Sequence, residues 1–231
     1  MNFNFNNNDK QRSEMGKKWL LIVLFLCNII SIKGQENEVG NWLIYIGNKD
    51  LNSSLNWHHE IQHRNYNIFG ELEQLLLRTG IGYDIKENNN ILLGYGFIDS
   101  RNRIEGTEEI LKVNEHRIYQ QFISKHAIGK IKIQHRYRFE QRFVEDDFKL
   151  RYRYFLSLNI PILKTNEKYY ISAYNEIFIN ANDDKTFDRN RIYGGLGYVL
   201  NSNIKLELGY MNQIFQSSSR DQINLICFFN F

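Results

Sequence analysis

The fourteen residues KIKIQHRYRFEQRF (Lys130–Phe143) are compatible with very few folds. Lys132, Gln134, Arg136, Arg138, Glu140 and Arg142 share one parity, while Ile131, Ile133, His135, Tyr137, Phe139 and Phe143 share the other. On a helix, residues two apart stand about 200° apart, so these charges would scatter around the whole wheel. On a strand they form one charged face and one aromatic-aliphatic face. Such a strand needs apolar surroundings on one side and water or a polar interior on the other. Repeated along a chain, the pattern is that of an all-β fold, an antiparallel transmembrane β-barrel.

The pattern does repeat. In FKLRYRYFLSLNI, Phe148, Leu150, Tyr152, Tyr154, Leu156 and Leu158 oppose Lys149, Arg151, Arg153, Ser157 and Asn159. In NWHHEIQHR, His58, Glu60, Gln62 and Arg64 oppose Trp57, His59, Ile61 and His63. The last segment puts Ile223, Leu225, Cys227, Phe229 and Phe231 on one apolar side, and its terminal Phe resembles the C-terminal signal read by barrel-insertion machinery. Eleven candidate strands run from Gly40–Asn48 to Gln222–Phe231, among them Ile91–Arg101, Glu115–Ser124, Lys130–Val144 and Tyr169–Asn180. Turn-forming stretches separate them, such as KENNN after Ile85 and NSN after Leu200. Single-chain bacterial barrels have even strand numbers, so the expectation is about ten strands, with the first segment outside the wall; twelve is the alternative.

Ahead of the strands stands Trp19–Ile32 (WLLIVLFLCNIISI), an apolar run preceded by Lys17 and Lys18. A spanning helix needs about twenty residues, so this shorter run reads as a secretory signal peptide over residues 1–34, cleaved after Gly34. Met15 offers an alternative start to Met1. Residues 1–34 hold five cations against two anions, which accounts for the +3 of the whole chain. Residues 35–231 are therefore close to neutral, and the basic balance gives no support for a nucleic-acid partner. Cys27 would leave with the leader and Cys227 would remain alone, which excludes an intramolecular disulfide and a cysteine metal site. The lack of a small residue after Cys27 argues against a lipid anchor.

Several segments, taken in order, resemble one known family: NWLIYIGN, EIQHR, EQLLLRTGIGY, ILLGYGF, HRYRFEQRF, RYFLSLNIPI, SAYNEIFIN, FDRNRIYGGLGY and LELGYM. They are similar to the Domain of Unknown Function 2490 family, outer-membrane proteins of Bacteroidota, from about Asn41 to Phe231. The resemblance implies a barrel in the outer membrane of a Gram-negative bacterium. It supplies no activity and no catalytic or binding residues.

Side chains on the polar parity are the candidate interior network. They are Glu60, Arg64, Arg78 and Arg117, then Arg136, Arg138, Glu140 and Arg142, then Arg151 and Arg153, and finally Glu176, Arg189, Arg191 and Glu207. In a narrow barrel such groups form a hydrogen-bonded plug, because buried charge must be paired. An anion-selective path is the functional alternative. His58 beside Glu60 raises a third possibility, a barrel hydrolase acting on lipid or peptide, but no G-x-S-x-G motif accompanies it. NANDD (Asn180–Asp184) lacks the spacing and central Gly of an EF-hand, and reads as a solvated loop. Gly80, Gly82, Gly94 and Gly96 read as small inward residues that make room for arginine chains. The expectation is thus a monomeric barrel in contact with outer-membrane lipid, with no cofactor, no metal and no assigned catalytic residue.

Overall fold

A computed structural model describes residues 39–68, 70–104, 106–163, 167–183 and 185–231. The proposed leader and its cleavage point lie outside the described residues, as does Asp184 of the NANDD loop. The described chain is all β. Its strands are β1 (Gly40–Asp50), β2 (Leu55–Asn65), β3 (Leu72–Lys86), β4 (Asn89–Arg103), β5 (Ile110–Ile128) and β6 (Ile131–Val144). They continue with β7 (Asp147–Pro161), β8 (Tyr169–Asn180), β9 (Phe187–Val199), β10 (Ile204–Ile214) and β11 (Ser219–Asn230). Each pairs with its sequence neighbours, and β1 pairs with β11 to close the barrel.

Eleven strands thus form the wall, against the expectation of about ten. The first segment is a stave of the wall and not an appendage. Its own alternation explains this, because Trp42 and Ile44 are buried while Leu43 is exposed. It also has a partner on both edges, with Gly40–Asn48 lying parallel to Gln222–Asn230 and antiparallel to β2. In an up-and-down order every step reverses direction, so an odd count makes the first and last strands parallel. Parallel closure is a geometric consequence of the count, and it leaves no open edge. The C-terminus reinforces the seam, for the Phe231 amide donates to the Asn48 carbonyl at 3.0 Å. Behind the seam an apolar cluster joins Trp42, Ile44, Tyr193, Met211 and Ile226.

The outer surface carries the apolar parity. Leu208 and its register partners Leu196 and Leu225 are 59, 63 and 48% exposed, and such exposure recurs around the barrel. Aromatic and histidine side chains of the same parity meet in clusters across neighbouring strands. Tyr45 donates to, or accepts from, His59 Nε2 at 2.9 Å, and His59 stacks on Phe231. A second group joins His126, His135 and Tyr154.

The glycines serve a different purpose from the one expected. A Cβ at Gly94 would collide with the Tyr119 ring, and one at Gly209 would collide with Tyr193. Close approach of these rings to the wall is what requires glycine there. Gly80 faces Leu92 and Gly82 faces Asn56, so of the four glycines singled out in the sequence only Gly96 makes room beside arginines, Arg78 and Arg117.

Candidate functional site

The interior is built from one parity of each strand. On β6 and β7 this places Arg138 opposite Arg153, and Glu140 opposite Arg151. Like charges directly opposite one another are destabilising on a sheet, so Arg138 and Arg153 need a carboxylate near both. Glu140 supplies it. Its Oε1 lies 2.7 Å from Arg153 and 3.8 Å from Arg138, while its Oε2 lies 2.7 Å from Arg151. Arg117 and Arg142, also register partners, are bound together by Glu115, with Arg142 Nε at 2.6 Å.

The pairing continues around the barrel. Glu176 accepts from Arg153 at 2.6 Å and from Arg136 at 2.7 Å, and lies 3.6 Å from Arg191. Arg78 donates to Glu60 at 2.9 Å, and Asp188 accepts from Arg151 at 2.8 Å and from Arg189 at 3.2 Å. Glu207 stands apart from the arginines and accepts from Tyr170 at 3.0 Å and Tyr193 at 3.4 Å. Of the fourteen candidate residues, Arg136, Arg142 and Arg189 are half-buried and the others are buried.

Aromatic faces and neutral amides hold part of the positive charge. Phe178, 2% exposed, has the guanidinium groups of Arg153 and Arg191 at 4.4 and 4.6 Å from its ring centre, with Arg151 and Arg189 further out. Trp42 lies 3.7 Å beneath Arg64. Such contacts suit the flat, weakly hydrated guanidinium. Arg64 donates to the amide oxygens of Gln62 and Gln74, and Arg138 donates to Gln121 at 2.5 and 2.9 Å.

Sequence reasoning missed Glu115, Asp188, Trp42 and Phe178. Three of them stand on a parity that the sequence displays: Glu115 with Arg117, Phe178 with Glu176, and Trp42 with the rest of β1's buried face. Extending parity to every side chain finds these three. Asp188 is the exception, one position from Arg189 and so off its parity.

Two cavities flank the network. The larger, about 500 Å³, lies toward the end of the barrel that holds Phe231 and is bordered by Asp50, Ser157, Lys205 and Asn230. The smaller, about 270 Å³, lies toward the opposite end and is bordered by Ser100, Asn102, Glu115 and Arg189. Arg64, Arg78, Arg153 and Arg191 border both. His58 borders the larger cavity, with Nδ1 at 2.9 Å from Asn48 and Nε2 at 3.7 Å from Glu60. Both ring nitrogens thus face wall residues.

A model of the DUF2490 family, described as proteins of unknown function, matches residues 39–224. The chain belongs to the DUF2490 family. Among curated proteins, an uncharacterized protein of Methylorubrum extorquens is 28% identical over 164 residues, covering 67% of this chain and 69% of its own length. No solved structure matches. For a DUF2490 chain, then, the interior itself is the source of functional evidence. Among the described residues no group of three or more His, Cys, Asp or Glu is arranged to hold a metal ion. At the rims, Arg103 holds the Glu71 carboxyl below its usual range through a hydrogen bond, and Lys130 does the same to Glu167. These exposed pairs brace the turns and contribute little to stability.

Proposed function

We propose that this chain is a monomeric outer-membrane β-barrel whose bore is closed at mid-height by an arginine–carboxylate plug. It acts as a structural barrel with a solute-accessible chamber at each end, and not as an open pore. The observation that carries this reading is the set Arg64, Arg78, Arg153 and Arg191, which borders both cavities and so forms the partition between them. The exposed leucine rows suit contact with lipid, and strands of 11 to 19 residues meet or exceed the nine to eleven or so that a tilted spanning strand needs. The Phe231 end is the periplasmic one, with the C-terminal strand recognised by the insertion machinery and the leader removed on export.

The purified chain in planar bilayers is expected to give no steady conductance. In cells it is expected in the outer-membrane fraction, with gel migration that changes on boiling. A steady anion-selective current would replace the plug by a pore, and recovery in the soluble periplasm would reject the membrane reading. Turnover of a lipid or peptide ester that is lost in His58→Ala would favour the hydrolase.

A further inference from the structure

The smaller chamber holds more positive charge than its surroundings neutralise. Eight arginines and one carboxylate, Glu115, line it. The carboxylates standing behind that wall, Glu60, Glu140, Glu176 and Asp188, each pair with one or more of the lining arginines. With Glu115 they make five, against eight guanidinium groups. Arg136 and Arg138 also draw on Glu176 and Glu140, and Glu73, which acts on Arg64, is matched by its own partner Arg220, so the surplus is at least three. Like charges this close repel one another unless an anion stands among them.

A second observation points the same way. Arg78 lines the chamber, is more than nine-tenths buried, and its Nε has no acceptor among the described residues. Arg64, on the same partition, spends its donors on neutral amide oxygens. Arg142 and Arg189 are only partly covered, with side chains 16 and 28% exposed, and Asn102 at the border is exposed. The cavity therefore combines a cationic floor, which includes a buried arginine with one donor unpartnered, and solvent-reachable cations nearer the strand ends.

We propose that this chamber is a binding site for a compact oxyanion carrying two or three negative charges, of the phosphate or diphosphate class. Guanidinium groups suit phosphoryl oxygens, and the surplus of charge favours an anion with two or three charges over a monovalent ion such as chloride. The site rests on the closed-barrel reading, since the partition is its floor. The phosphoryl group can belong to a free anion or to a lipid headgroup, and the chemistry of recognition is the same.

The test uses the full chain folded in detergent, titrated calorimetrically with potassium diphosphate at ionic strength held constant by potassium chloride. Saturable binding is expected, tighter for diphosphate than for phosphate. Arg142→Gln with Arg189→Gln is expected to weaken it about ten-fold or more, for the loss of charge-assisted hydrogen bonds. Asn102→Asp, which adds a negative charge without breaking any ion pair of the network, is expected to weaken it while gel migration stays native. Competition by phosphatidic acid in mixed micelles would assign the group to a lipid, and its failure to compete with bound diphosphate would assign it to a free anion. A diphosphate heat no larger than that of chloride, or Asn102→Asp binding as tightly as the parent chain, would overturn the site. Bilayer conductance on the same preparation separates the two ideas: no current and no binding sinks the site alone, whereas steady current sinks the partition beneath it.

Discussion

Glu140→Ala is expected to destabilise the folded chain by about 3–5 kcal/mol, the range for removing one partner of a buried ion pair. The carboxylate is fully buried and contacts Arg138, Arg151 and Arg153. Arg153 keeps Glu176 and Arg151 keeps Asp188 in the variant, so the lower half of the range is the better estimate. Arg138 keeps its contacts with Gln121 and the Tyr119 face but loses its nearest carboxylate, and carries most of the loss. Glu140→Gln retains one acceptor oxygen without the charge and should fall between. Urea-induced unfolding in lipid vesicles measures both. A cost below about 1 kcal/mol would mean that water reaches the network and screens it.

Leu208→Arg is expected to cost about 2–4 kcal/mol in lipid, as for a cation placed at the bilayer midplane. Leu208 sits within β10 between Leu196 and Leu225 on the outer face, so the new charge is set directly between two leucines. Ser157→Gln is the matching control. It borders the larger cavity, where a longer amide has room, and is expected to leave the unfolding midpoint nearly unchanged. Damage at Ser157 equal to that at Leu208 would mean a core with two dry sides.

Much of this architecture is legible in alternation alone, and particular strands show why. Alternation delimits β8 to the residue, because apolar and polar positions alternate from Tyr169 and the ANDD turn follows Asn180. It begins β5 at Glu115, whereas the strand starts at Ile110, since ILKVN alternates too weakly to stand out from a loop. That late start also explains the loss of Glu115, which then falls at a strand end. The strand count fails for another reason. Pairing of β1 with β11 joins residues about 180 positions apart, and no local period contains it. Within the interior, parity predicts which side a residue takes but not its height along the barrel. Hence which carboxylate serves which arginine, and how the space divides into two chambers, is not legible in the sequence.

The parallel seam has a consequence for how the protein is addressed from outside. A chain that crosses a bilayer an odd number of times has its two ends in different compartments. Gly40 and Phe231 stand at opposite mouths, because β1 and β11 run in the same direction. In the outer-membrane barrel proposed above, an epitope inserted just before Gly40 and one appended after Phe231 are expected to report on opposite sides of the membrane. With the Phe231 end at the periplasm, as proposed, the Gly40 mouth of the barrel opens to the cell exterior.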